Sequence, residues 1–286
     1  QISFCLAQRD PSNNPSTGIT RTSTSKTYFD PDTETDDMKK NSTGGKDAWD
    51  PFNYLNIWIA DIDNGAGFGT AGYAYLPTPG MHGSWRDGLV LDNNIGLCYG
   101  CRTATHEIGH YLGLKHTWGN NPPSCNNDDG FSDTPNCASE NFGCNTNQNT
   151  CNSGGGDKVD QIENYMSYAD CQNMFTIEQA NYMNSVLNTT RGSLLNSQAC
   201  QPAAPPVADF NGIPNPVTVG SMVNFTDLSS GFPTSWSWNF GDNTTGSTLQ
   251  NPIHTFPGAG TYTVTQVVFN QYGCPDTFKI ILDKNQ

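Results

Sequence analysis

Three histidines and a glutamate carry the strongest chemical signal in this 286-residue sequence: His106-Glu107-Ile-Gly-His110-Tyr-Leu-Gly113-Leu-Lys-His116. On an α-helix, residues four apart share a face and lie about 6 Å apart along the axis. His106 and His110 can therefore present both imidazoles to one ion at the roughly 2.0–2.1 Å that zinc prefers. Glu107 lies beside that face, poorly placed as a third ligand but able to act as a general base on a water there. Gly113 is expected to end the helix in a left-handed conformation, so that the chain turns and His116 approaches from another direction. Three protein ligands leave a fourth position open, which suits a catalytic zinc and not a structural one. At average residue frequencies these five fixed positions coincide by chance in roughly one chain in 10⁵, so an accidental cluster is a poor account. His82 and His254 stand in turn-rich or strand-rich contexts and read as structural or surface residues.

These side chains need elements to hold them. Residues 54–60 read as a buried strand, and 72–76 and 88–91 as two more short ones. Residues 1–7 also alternate like a strand. Helical spacing runs from 102 to 114, with Gly113 as its C-terminal cap. From 119 to 157 the chain is rich in Asn, Gly, Pro and Cys without period, and a loop of that length needs pins. A last helix is expected from Thr176 to about Leu195, with Thr176 as N-cap and Gln179 at its third position. The cluster Gln201-Pro-Ala-Ala-Pro-Pro206 is a stiff spacer. Beyond it, residues 222–225, 235–240 and 261–265 alternate apolar and polar, punctuated by Gly, Pro and Asn as in a β-sandwich. The expected organisation is a domain over 1–200, a linker over 201–206 and a β-sandwich over 207–286.

Composition narrows the setting. Thirteen Lys and Arg stand against 27 Asp and Glu, a balance that excludes nucleic acid and anionic membranes as natural partners. The acids suit calcium, which takes hard oxygen ligands. Ten cysteines point to disulfides and an oxidising compartment. No apolar run approaches the roughly 20 residues of a membrane span.

The extended histidine pattern resembles the signature of the metzincin metallopeptidases. Asn164-Tyr165-Met166-Ser167-Tyr168 resembles their methionine turn, with Met166 as the apolar floor beneath the metal. Tyr168 matches a tyrosine that assists the transition state in several metzincin families. More specifically, the first 200 residues resemble the pappalysin (ulilysin-like) family. The phrases that carry this are Phe4-Cys-Leu-Ala7, Gly44-Gly-Lys-Asp-Ala-Trp49, Tyr54-Leu-Asn-Ile-Trp58, His116-Thr-Trp-Gly119, Ser132-Asp-Thr-Pro135 and Phe175-Thr176.

That resemblance implies an α+β catalytic domain, a mixed twisted sheet with an active-site helix and a loop-rich C-terminal subdomain. It implies structural calcium in the loop after the third histidine, at Asp129, the Phe131 carbonyl and Thr134, with Asp133 and Asp128 nearby. It implies the disulfides Cys125–Cys151 and Cys144–Cys171. Asp170 matches an acid in the pocket for the residue after the scissile bond, implying a preference for Arg or Lys there. The expected protein is a secreted, bacterial, monomeric zinc endopeptidase that takes an extended protein or peptide substrate. Family members usually carry a strand and a helix before the segment matching residues 2–7, so an upstream propeptide or N-terminal fragment is a further expected partner. Cys5, Cys98, Cys101, Cys137, Cys200 and Cys274 leave fifteen possible pairings.

Downstream, Trp238-Asn-Phe-Gly-Asp242, Asn251-Pro-Ile-His-Thr-Phe256 and Gly260-Thr-Tyr-Thr-Val264 resemble a polycystic-kidney-disease-type (PKD) repeat, a small all-β sandwich that serves as a spacer or touches substrate or matrix. Trp236 and Trp238 share one strand face, and at least one of them is expected in its core.

Overall fold

The computed structural model describes residues 2–62, 69–94, 102–119, 124–126, 129–151, 158–201, 206–213, 217–218, 220–270 and 275–285. Cys98, Cys101, Asp128, Cys274 and most of the proline cluster lie outside the described residues. The chain divides into two compact units. The first comprises Gln1–Phe4 and Thr20–Gln198, the second Cys5–Ile19 and Ala199–Gln286.

The first unit is built on a three-stranded sheet of β1 (Ile57–Ala60), β2 (Gly72–Ala74) and β3 (Leu89–Asp92), in the order β1-β3-β2. β1 runs parallel to β3, and β2 antiparallel. All four residues of β3 are buried, as a central strand covered on both faces requires. β1 is half-buried: Trp58 points inward, while Ile57 and Ile59 face out. β1 and β2 are shorter than their sequence patterns suggest, while β3 has the expected length and starts one residue later.

Residues 2–7 form no strand. Alternation makes a strand only where a neighbour pairs its backbone, and this segment is tied differently. Ile2 packs on the core of the first unit, Cys5 is bonded to Cys200, and the Gln8 N–H donates to the Ala199 carbonyl.

Helix α1 (Thr103–Tyr111) packs against β2 and β3. It ends where Gly113 takes φ 96°. The Leu114 N–H donates to Gly109 O and the Gly113 N–H to His110 O, the paired bonds of a Schellman cap. Helix α2 (Ile177–Asn188) opens with a complete capping box between Thr176 and Gln179. It stops earlier than its pattern suggests, giving way to a 3-10 turn over Gly192–Asn196. Arg191 intervenes, its side chain fully buried: Nε donates to Tyr111 O at 2.7 Å, Nη1 pairs with Asp87 at 2.6 Å, and the guanidinium lies 3.4 Å over the Tyr111 ring. Leu89, Tyr111, Leu112, Leu114, Met166 and Met183 form the core that joins sheet and helices.

In the second unit, β4 (Phe210–Ile213), β6 (Met222–Asp227) and β8 (Ile253–Thr255) form one sheet in the order β4-β6-β8. The strands β5 (Val217–Thr218), β7 (Ser235–Asn239), β9 (Gly260–Phe269) and β10 (Pro275–Asn285) form the other, in the order β5-β10-β9-β7. Inward residues of both sheets, among them Phe210, Val223, Phe225, Trp238, Val264 and Leu282, make its core. Trp238 is buried, and Trp236 packs against the same cluster while its Nε1 donates to Asp227 at 2.9 Å. Among the described residues, no helix is long and apolar enough to cross a membrane.

Candidate active site

Helix α1 places His106 and His110 on one buried face, and the turn after Gly113 brings His116 back to them. The nearest ligand atoms of the three imidazoles lie within 4.8 Å of one another. Two of the rings are held by carbonyls. His106 Nδ1 lies 2.7 Å from Tyr165 O, and His110 Nδ1 lies 2.8 Å from Leu114 O. A carbonyl only accepts, so each Nδ1 carries the proton and each Nε2 lone pair is left for a metal.

His110 Nε2 and His116 Nε2 are 3.1 Å apart, close to the roughly 3.3 Å that separates two tetrahedral ligands at zinc's bond length. The residues present therefore fit zinc. Burial, and secondarily His110, push His106 down to about 4. Burial also lowers His110. Both stay in the neutral form that binds metal.

Glu107 is buried beside them. The Ala74 N–H of β2 donates to its carboxylate, while Oε2 has no partner among the described residues. Burial, before any cation's charge is counted, pushes Glu107 up to about 8. Tyr168 is 45% exposed, with its ring centroid 5.5 Å from that of His106 and 5.0 Å from that of His116. Burial, then the charges of Glu107 and Glu140, raise its hydroxyl pKa and keep it protonated. These groups open into a cleft of about 460 Å³. Gly72, Tyr73, Ala74 and Leu76 form one wall; the histidines, Glu107, Trp118, Glu140 and Tyr168 form the rest.

Met166 is fully buried and packs in the same core as α1. A Cβ at Gly109 would run into its sulfur, so any larger residue there would force the buried Met166 side chain to move. The turn is held from behind. Asn164 Oδ1 accepts the Met166 N–H at 2.9 Å, and Asn164 Nδ2 donates to Gln179 Oε1 at 2.9 Å.

In the loop after the third histidine, Asp129 is buried and accepts from the Phe131 N–H and Gln179 Nε2. The Phe131 carbonyl accepts the Thr134 N–H. The Thr134 hydroxyl is buried with no partner among the described residues. Asp133 is exposed and accepts the Glu178 N–H at the start of α2. Cys125 is bonded to Cys151 and Cys144 to Cys171, and among the described residues Cys137 is a buried free thiol. Asp170 is exposed, its N–H donating to Gly143 O, and it is not among the residues that line the cleft.

His82 contacts Asp87 and Ser193, and His254 pairs with Asp242 at 2.7 Å. Sequence reasoning did not single out Gly109, Trp118, Glu140 or the Asn164–Gln179 link as parts of the site. Only Trp118 left a local hint, standing two residues from a candidate ligand.

Residues 37–188 match the model of the peptidase family M43, described as pregnancy-associated plasma protein-A, and residues 203–281 match that of the PKD domain. An extracellular metalloprotease of Colletotrichum graminicola is 39% identical over 139 residues, covering 43% of this chain and 47% of that protein. Extracellular metalloprotease 1 of Coccidioides posadasii is 40% identical over 130 residues, covering 41% and 45%. The chain thus spans about half the length of these curated relatives, and their fungal sources do not support the bacterial setting expected from sequence. Among solved structures, mature mirolysin of Tannerella forsythia in complex with a cleaved peptide is 34% identical with a TM-score of 0.59, covering 70% of this chain and 76% of that one.

Proposed function

Because the chain belongs to the pregnancy-associated plasma protein-A family of peptidases, we propose that it is a secreted zinc endopeptidase working in the cleft between β2 and α1. One observation carries the reading: three imidazoles converge beside a buried, half-satisfied carboxylate in a cleft walled by an edge strand. His106, His110 and His116 hold the metal. Zinc bound there polarises the scissile carbonyl and makes water a nucleophile at neutral pH.

Glu107 takes the proton from the attacking water and passes it to the leaving amine. Tyr168 donates its hydroxyl proton in a hydrogen bond to the developing oxyanion. The substrate lies extended along β2, whose outer edge offers main-chain hydrogen bonds. The peptidase domain falls within 1–200, and 207–286 is a PKD-type module acting as spacer or as a contact to substrate or matrix.

Three finer readings accompany this one. Calcium in the loop at Asp129, Phe131, Asp133 and Thr134 is supported by the buried, unpartnered Thr134 hydroxyl. A preference for Arg or Lys after the scissile bond is supported by the acid Glu140 on the cleft wall, with Asp170 on the segment that follows Tyr168. An upstream propeptide or N-terminal fragment is supported by β1, an edge strand with Ile57 and Ile59 exposed.

The test is Glu107→Ala in the full chain, with zinc content and casein cleavage measured together. Zinc retained and cleavage lost is the expected result. Near-normal cleavage by the zinc-loaded variant would remove the reading. Profiling of cut sites on a peptide library checks the Arg or Lys preference, and a flat profile after the cut sinks it.

A further inference from the structure

Trp118 supplies no ligand, proton or charge to the reaction, yet two groups that do are packed against it. Its indole lies flat on the His116 imidazole, with centroids 4.4 Å apart and planes 5° apart. It meets the Tyr168 ring edge-on, at 4.9 Å and 73°. The indole is buried, 8% exposed, and forms part of the cleft wall.

His116 is carried by a different kind of backbone from the other two histidines. His106 and His110 stand on α1, where the helix backbone fixes their Cα positions. His116 lies on irregular chain after the cap, in a turn closed by the Gly119 N–H on His116 O and tied to the methionine turn by the Thr117 N–H on Met166 O. Those bonds place the backbone, and the indole stacked on the imidazole bears directly on the plane of the ring. A flat indole at van der Waals distance resists rotation of the ring, and aromatic pairs at this separation attract beyond simple burial.

We infer that Trp118 is a positioning residue that fixes the imidazole plane of His116 and seats Tyr168 beside it. The metal site and the oxyanion contact then depend on one side chain. This rests on the reading of the histidines as a zinc site. Partners that orient a metal ligand typically account for about 10–100-fold in metal affinity.

The experiment compares the full chain with Trp118→Leu and Trp118→Phe after the metal has been stripped by a chelator. Zinc affinity is measured by competition with a chromogenic chelator, tryptophan emission is followed during zinc addition, and kcat and KM are determined on the reloaded proteins. Trp118→Leu should lose about 10–100-fold in zinc affinity and lower kcat with little change in KM. Trp118→Phe, which keeps a flat ring, should recover most of both. The wild-type emission change on zinc addition should vanish in both variants, although five other tryptophans remain.

A merely structural role predicts a lower melting temperature with zinc affinity of the folded protein unmoved. Zinc binding by Trp118→Leu within about twofold of wild type, well short of the effect expected of an orienting partner, overturns the inference alone. Failure of the wild-type chain to take up zinc overturns both it and the functional reading beneath it.

Discussion

Glu107 keeps one buried carboxylate oxygen without a hydrogen-bond partner among the described residues. A group left in that state costs about 1–3 kcal/mol, so its place is explained by chemistry and not by stability. Its carboxyl, raised by burial to about 8 from an unfolded value near 4.5, sets the sign of a pH effect. A raised folded pKa means that the folded chain holds the proton more tightly. Relative stability is therefore fully present below the unfolded value and is lost as pH rises toward 8, by at most on the order of 5 kcal/mol. In the zinc-stripped protein, urea midpoints should fall between pH 5 and pH 9, and Glu107→Gln should flatten that fall. The same variant should cut kcat by about 10²–10⁴-fold, the usual weight of a general base. Equal pH slopes for wild type and variant would contradict the burial argument. The meeting of His106, Glu107 and His110 at one buried place was legible in the sequence because helical spacing is local and fixes which side chains meet. Gly109 and Trp118 were not legible, since the first matters through the Met166 sulfur and the second through the Tyr168 ring, contacts made only by the folded chain.

At the scale of elements, the start of α2 links the fold to the site. Gln179 is fully buried and serves several partners at once. Its Oε1 accepts from the Thr176 N–H and from Asn164, and its Nε2 donates to Asp129. The capping box itself was readable from Thr176 and Gln179, because that motif is written in four consecutive residues. Its extension to the methionine turn was not, as Asn164 and Asp129 come from distant segments. Thr176→Ala should cost about 1 kcal/mol, as loss of an N-cap does, and leave the zinc site alone. Gln179→Ala should cost more, because buried polar groups on Asn164 and Asp129 each lose one of their partners. It should also weaken zinc retention by loosening the support of Met166. Thermal unfolding with zinc titration on the two variants separates these effects, and identical zinc affinity in both would show that the link to the methionine turn is idle. Residues 2–7 teach the converse lesson. Their alternation was a legible pattern, but a strand also needs an edge to pair with, and here the segment is held by Cys5 and Ile2 instead.

For the whole molecule, the proline cluster marked a change of architecture because composition shifts across it. The grouping of Cys5–Ile19 with the second unit could not be read, since it follows from one pairing among fifteen. That pairing, Cys5–Cys200, joins residues 195 apart in sequence, so the loop it closes contains nearly all of the first unit. In the chain-entropy account a crosslink acts mainly on the unfolded state, and its effect grows with the logarithm of the loop, reaching about 5 kcal/mol for a loop this long. The shorter bridges Cys125–Cys151 and Cys144–Cys171, 26 and 27 residues apart, restrict the unfolded chain less but pin the loop that carries Glu140 and ends beside Tyr168. The three bridges should therefore separate by experiment. Replacing both Cys5 and Cys200 by serine should lower the melting temperature by roughly 5–20 °C, taking about 2–5 kcal/mol at 2–4 °C each. Zinc affinity and kcat measured well below the new transition should stay near wild type, because both cysteines of that bridge belong to the second unit and the histidines to the first. Replacing Cys144 and Cys171 should do the reverse, with a smaller thermal shift and a larger loss of kcat, as the wall next to Tyr168 is released. If both pairs moved melting temperature and kcat in the same proportion, the division of labour between the long bridge and the short ones would fail.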